Sequence, residues 1–154
     1  EKIYQKFWLD DPDNINTSAD ENLNSFKKFA ETLDMKFNWS LSYTEYPDRG
    51  CYIKLIPNYH LDNKHYKEIL QDYKGNGYCF CDDLETFTNK LLDKKEYKVL
   101  CEWSTNDFVL EIQNRMLEMW FQDNRDYLSK ECFLDHVESN SYEFTIDGKL
   151  FGGE

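Results

Sequence analysis

The stretch KFNWSLSYTEY, residues 36–46, puts Phe37, Trp39, Leu41 and Tyr43 on one side and Asn38, Ser40, Ser42 and Thr44 on the other. So clean a period of two predicts an extended strand with one buried face and one solvated face. That is the habit of an antiparallel sheet, since parallel sheets are buried on both faces. PDRG follows as a turn, with Pro47 fixing φ and Gly50 free to take positive φ. CYIKLI, residues 51–56, then returns as the hairpin partner. Whatever else the chain does, it must cover one face of that hairpin.

Several amphipathic stretches are available as cover. Ser18 and Glu21 have capping-box spacing and predict a helix whose stripe is Leu23, Phe26, Phe29, Ala30 and Leu33. Asp62 is the expected cap of a short helix with Tyr66, Ile69, Leu70 and Tyr73 inward, stopped by Gly75-Asn76-Gly77. Asp82 and Glu85 open a further helix through Leu92, with Leu84, Phe87 and Leu91 inward. The longest helix is expected from Ser104 to about Leu128, with Val109, Ile112, Met116, Met119 and Trp120 as its stripe. Its outer face (Glu111, Arg115, Glu118, Gln122, Arg125) is mixed in sign and reads as solvated. A second C-terminal helix covers about Lys130 to Ser139. Extra strands are expected at KIYQKFWL (2–9), where Ile3, Phe7 and Leu9 alternate with Tyr4, Lys6 and Trp8, and at YCFC (78–81). EYKVLCE (96–102) fits a strand or a helix, and YEFTIDGKLF (142–151) a strand or small hairpin around Asp147-Gly148. These elements make one α+β domain over residues 1–154, an antiparallel sheet with helices mainly on one face and long C-terminal helices.

Charge narrows the function classes. The formal net charge is −12, and residues 79–154 alone hold 17 acidic against 8 basic residues. Such a surface repels a phosphate backbone or an anionic membrane, so neither direct nucleic-acid binding nor membrane association is expected. A basic protein partner fits it, and so does a role in solubility alone. No apolar run is long enough to cross a membrane. Five cysteines, with Cys51, Cys101 and Cys132 among apolar neighbours and no leader in front of them, point to a reducing cytosol.

Motifs that would announce a reaction are missing. There is no P-loop, no G-x-G-x-x-G and no nucleophile elbow. Cys79-x-Cys81 has no second knuckle to complete a zinc site. His60 and His65 are five apart, which one helix face does not bring together, and DDPD at 10–13 lacks the glycine of a calcium loop. No catalytic residue, metal or cofactor is therefore assigned.

What remains is carboxylate density. Asp82, Asp83 and Glu85 gather at a helix N-terminus, where they complement the dipole. Glu131, Asp135 and Glu138, spaced four then three, share one face of the last helix without that justification. Neighbours four apart on a helix lie about 6 Å from each other. Such a row can offer Lys and Arg what a phosphate backbone offers them. These six residues are the candidate partner-binding positions.

Two stretches carry a resemblance. CFLDHVESNSYEFTIDGKLF (132–151), above all Tyr142-Glu-Phe-Thr-Ile-Asp-Gly-Lys149, and FNWSLSYTEYPDRGCYIKL (37–55) resemble parts of small acidic bacteriophage proteins, most of them uncharacterised. Here YPDRG stands where those proteins have a glycine-rich turn. The resemblance implies a viral protein working in the host cytoplasm, and it brings no catalytic residues with it. Joined to the charge, it leads to the expectation of a non-enzymatic acidic inhibitor that occupies the nucleic-acid site of a basic host defence enzyme, of CRISPR or restriction type. An immunity or antitoxin protein that neutralises a basic toxin would need the same surface. A Cys/His enzyme acting on a nucleotide is the third possibility, and it would need a thiolate of depressed pKa beside a His.

Overall fold

In the computed structural model, which describes residues 4–9, 12–43, 49–58, 62–73, 79–94, 97 and 102–144, the hairpin stands as the alternation requires. Strand β1 (Met35–Ser40) pairs antiparallel with β2 (Tyr52–Pro57), with Phe37 opposite Leu55 and Trp39 opposite Ile53. Gly50 closes the turn at φ +85°, where a side chain would be strained. Met35, Ile53 and Leu55 are buried on the inner face, while Lys36, Asn38, Ser40, Tyr52 and Lys54 are exposed on the outer one. The strand is shorter than its pattern. Leu41 and Tyr43 lie beyond its end, and Trp39, expected inward, is 42% exposed because it sits at the uncovered margin.

Among the described residues five α-helices cover the inner face and extend from it: α1 (Pro12–Thr32), α2 (Asn63–Asp72), α3 (Cys79–Asp93), α4 (Glu102–Tyr127) and α5 (Lys130–Ser139). Together with the two-stranded antiparallel sheet they make an α+β structure with long C-terminal helices. The stripe expected on the longest helix is the centre of the core. Val109, Ile112, Met116, Met119 and Trp120 are buried, joined by Phe108 and Phe121. Against them pack Leu23, Phe26, Phe29, Ala30 and Leu33 of α1, Ile53 and Leu55 of β2, and Leu84, Leu91 and Leu92 of α3. Trp120 also ties the hairpin to α4: its Nε1 donates to the Ser42 carbonyl at 3.1 Å, and Tyr43 meets its ring edge-on at 5.6 Å.

Helix starts were harder to place from the sequence. α1 begins at Pro12, a residue whose fixed φ suits a first turn, so Ser18 lies inside the helix and is not its cap. α4 begins two residues before Ser104, at Glu102. By contrast, α2 is capped by Asp62, which accepts the His65 N–H at 2.9 Å. α5 is capped by Ser129, which accepts the Cys132 N–H at 3.1 Å.

Two expected strands are helical. Residues Tyr4–Leu9 form a short π-helical turn, which brings Tyr4 and Trp8 to the same partner. Trp8 is buried: it stacks on Tyr127 at 5.0 Å, touches Phe133 and His136, and donates Nε1–H to the Tyr127 carbonyl at 2.7 Å. Tyr4 lies 5.5 Å from the same Phe133 ring, and its hydroxyl donates to the Leu128 carbonyl. An extended strand would leave these rings on one side but about 13 Å apart. In YCFC, Cys79 to Cys81 are the first turn of α3, because Cys81 continues the buried stripe of Leu84, Thr88 and Leu91 backward by one turn. The Cys81 thiol donates to the Ser25 carbonyl at 3.3 Å, and Phe80 stacks on Phe26 at 5.6 Å. EYKVLCE and YEFTIDGKLF lie largely outside the described residues, as do Gly75–Gly77. Among the described residues no helix is long and apolar enough to cross a membrane.

Since the fully buried Trp120 indole also holds Ser42 and Tyr43 just beyond β1, Trp120→Ala should cost about 3–5 kcal/mol of folding stability, the usual range for removing a large buried aromatic. Urea denaturation of the variant, followed by circular dichroism, measures that loss as a lower midpoint.

Candidate functional site

The phase of α5 is set by Phe133, its buried residue, which turns Glu131, Asp135 and Glu138 outward; all three are exposed. On α3 the buried Cys81 and Leu84 fix the phase in the same way, leaving Asp82 and Asp83 exposed and Glu85 half-buried. The sequence treats these as two clusters. The fold divides them differently.

Asp83 faces α4. With Phe80 it lines a groove of about 200 Å³ whose other wall is Arg115, Glu118, Met119, Gln122, Asp123 and Asp126. A second groove, of about 350 Å³, continues from the same Asp123 and Asp126 along Ser129, Glu131, Cys132 and Asp135. Six carboxylates from three helices thus form one strip: Asp83, Glu118, Asp123, Asp126, Glu131 and Asp135. Asp82 and Glu85 turn the other way, toward the end of α2. There the Tyr73 hydroxyl is pushed well above its ordinary pKa, by burial first and then by Cys81 and these two carboxylates. Glu138 is exposed on α5 but lines neither groove.

Asp123 and Asp126 join the strip, and the sequence reading passed over them. That reading took the outer face of α4 as Glu111, Arg115, Glu118, Gln122 and Arg125, one row to the side. The signal was the near-absence of a linker between α4 and α5, which forces the last turn of one against the first turn of the other. Asp123 is held by an inward contact: Asn22 of α1, only 4% exposed, donates Nδ2–H to its Oδ2 at 2.5 Å. Asp126 accepts from Gln122 at 2.9 Å, and Gln122 in turn accepts from Arg125 at 3.0 Å. At the far end Arg115 pairs with Glu118 at 3.4 Å and lies over the Phe87 ring at 5.7 Å.

Crowding shows in the proton affinities. Burial raises the Asp123 pKa; the Asn22 hydrogen bond works against that, and the Asp126 charge adds to it. Cys132, on the floor of the second groove, is raised by burial and by Asp135, Asp123 and Asp126, so its thiol is held protonated. Leu134 stands beside the strip, 53% exposed, one turn from both Glu131 and Glu138. This surface offers spaced negative charge around an apolar point.

The other candidates resolve into local structure. Asp62 caps α2 and also takes the His65 Nδ1 at 2.6 Å, contacts that lower its pKa. His60 and the Cys79 side chain lie outside the described residues. Asp13 sits in the first turn of α1. Among the described residues no three His, Cys, Asp or Glu are grouped to hold a metal ion. No family model, curated protein or solved structure matches the chain.

Because the folded-state pKa of Asp123 lies above its ordinary value of 3.8, its ionisation opposes folding. Wild-type stability should therefore gain as pH falls through the interval just above 3.8 and lose as pH rises through it. Asp123→Asn, which keeps an acceptor for Asn22, removes that contribution. The variant's stability relative to wild type should therefore rise as pH increases above 3.8, read in paired urea titrations.

Proposed function

We propose that the chain is a non-enzymatic acidic inhibitor of bacteriophage type, acting in the host cytoplasm. Its partner is a basic, nucleic-acid-binding host protein, a defence enzyme of CRISPR or restriction class. The observation that carries this reading is the joining of Asp83 to Glu131 and Asp135 through Asp123 and Asp126 into one strip across three helices. Scattered surface acids would serve solubility equally well; a continuous row at helical spacing also suits a cleft that tracks a phosphate backbone.

Two further features favour a protein partner. The strip lies on helices whose phases are fixed by buried residues, so little ordering entropy is lost when it is engaged. Leu134 supplies an apolar contact among the charges, of the kind that gives a mainly electrostatic interface a longer residence time. The enzymatic alternative draws no support from Cys132, whose raised pKa is the opposite of what a nucleophilic thiol needs.

Affinity capture of host proteins identifies the partner, and association kinetics then test the strip. Asp126→Lys, Glu131→Lys and Asp135→Lys together should slow association at least tenfold at low salt, and the wild-type rate should fall steeply as salt rises. Asp82→Lys with Glu85→Lys, on the other side of α3, should change the rate far less. A triple variant that associates as fast as wild type would reduce the strip to a solvated surface. Cys132→Ser should leave inhibition intact; its loss in a folded variant would favour the enzyme reading.

A further inference from the structure

The two edges of the hairpin are not equivalent. On β2 the Leu55 N–H donates to Gln113 Oε1 of α4 at 2.8 Å, so it points away from β1. Leu55 and Phe37 therefore form a pair that exchanges no ladder hydrogen bonds. Two residues further along β2 in the same phase stands Pro57, which has no N–H to offer. Gln113 and Pro57 thus close the outer edge of β2 to further strands.

The same phase directs the N–H and C=O groups of Met35, Phe37 and Trp39 outward from β1. Among the described residues none of these outward groups has a hydrogen-bond partner. A groove of about 430 Å³ runs beside this edge, lined by Met35, Lys36, Phe37 and Asn38 and, across from them, by Lys27 and Glu31 of α1. One end is closed where Asn58 donates its backbone N–H and its Nδ2–H to the carbonyl and carboxylate of Asp34, each at 3.0 Å.

We infer that this edge is a self-association surface, where β1 of a second copy adds antiparallel to β1 about a two-fold axis through Phe37. The sequence of the strand is complementary to itself in that register. Phe37 meets its own equivalent, Met35 meets Trp39, and Lys36 meets Asn38, so no like charges face each other. The inner faces are brought side by side, and the exposed Trp39 ring lies at the seam between the two copies. Charges along the groove are balanced, Lys27 and Lys36 against Glu31 and Asp34, although the whole chain is strongly acidic. Blocking of the β2 edge ends the assembly at two copies, a four-stranded closed dimer and not a filament. The acidic strip takes no part, so the inference stands apart from the proposed function.

Sedimentation equilibrium of the full chain, up to about 1 mM, tests it at the affinities a short interface allows. A reversible monomer–dimer equilibrium is expected, tightening with salt as net repulsion is screened. Trp39→Pro removes an outward N–H and leaves the ladder to β2 whole; it should weaken dimerisation at least tenfold. Asn38→Asp places a carboxylate opposite Lys36 in both symmetric pairs, and beside Lys54 in its own hairpin, and should tighten the dimer about fivefold. This second variant decides the matter if the proline variant fails to fold. A chain that stays monomeric throughout, or a dimer indifferent to Asn38→Asp, overturns the inference.

Discussion

Burial of the α4 stripe is the interaction on which every other element leans. Phe108, Ile112, Met116 and Trp120 are inaccessible to solvent, and through them α4 touches β2, α1 and α3 at once. A hairpin of two strands is marginal in water by itself. Here its inner face is completed by a helix, and Gln113, from the same helix, satisfies a backbone group of its outer strand. Because the inward phase of α4 is fixed so firmly, its outward phase is fixed as well. Glu118, Asp123 and Asp126 cannot turn elsewhere without unseating the core.

That coupling separates the molecule into two chemically distinct regions. The hairpin side has exposed Lys36 and Lys54 and a groove of balanced charge, whereas the surface shared by α3, α4 and α5 gathers the carboxylates. The cost of burying and crowding these groups is visible locally, in the pKa values of Asp123 and Cys132, raised first by burial and then by neighbouring carboxylates. It is met by the buried core beneath, since a few tenths of a kcal/mol per like-charged helical pair is small beside the burial of several large side chains.

How much of this was legible depends on whether the deciding contact is local. The hairpin was readable because its period, its Pro-Asp-Arg-Gly turn and its return strand lie side by side in the chain. α2 and α5 were readable because Asp62 and Ser129 cap the very helices they precede. Tyr4–Leu9 was not, since six residues fit either period and the choice falls to Phe133 and Tyr127, far along the chain. Cys81 went the same way: a carbonyl of α1 and the stripe of α3 make it helical, and neither is visible in YCFC. At the site, the exposure of the two acidic clusters followed from helix phase. Their union through Asp123 and Asp126, and the turning away of Asp82 and Glu85, required knowing which helices are neighbours.

The wedge of Trp8 between α4 and α5 also bears on the acidic strip. α5 contributes a single buried side chain, Phe133, and that ring rests on Tyr4 and Trp8. The first described segment and the last helix therefore cover each other's aromatic side chains and pack as one unit against the end of α4. Residues 4–9, YQKFWL, contain no carboxylate at all, yet the rings of Tyr4 and Trp8 support the helix that carries one end of the charged strip.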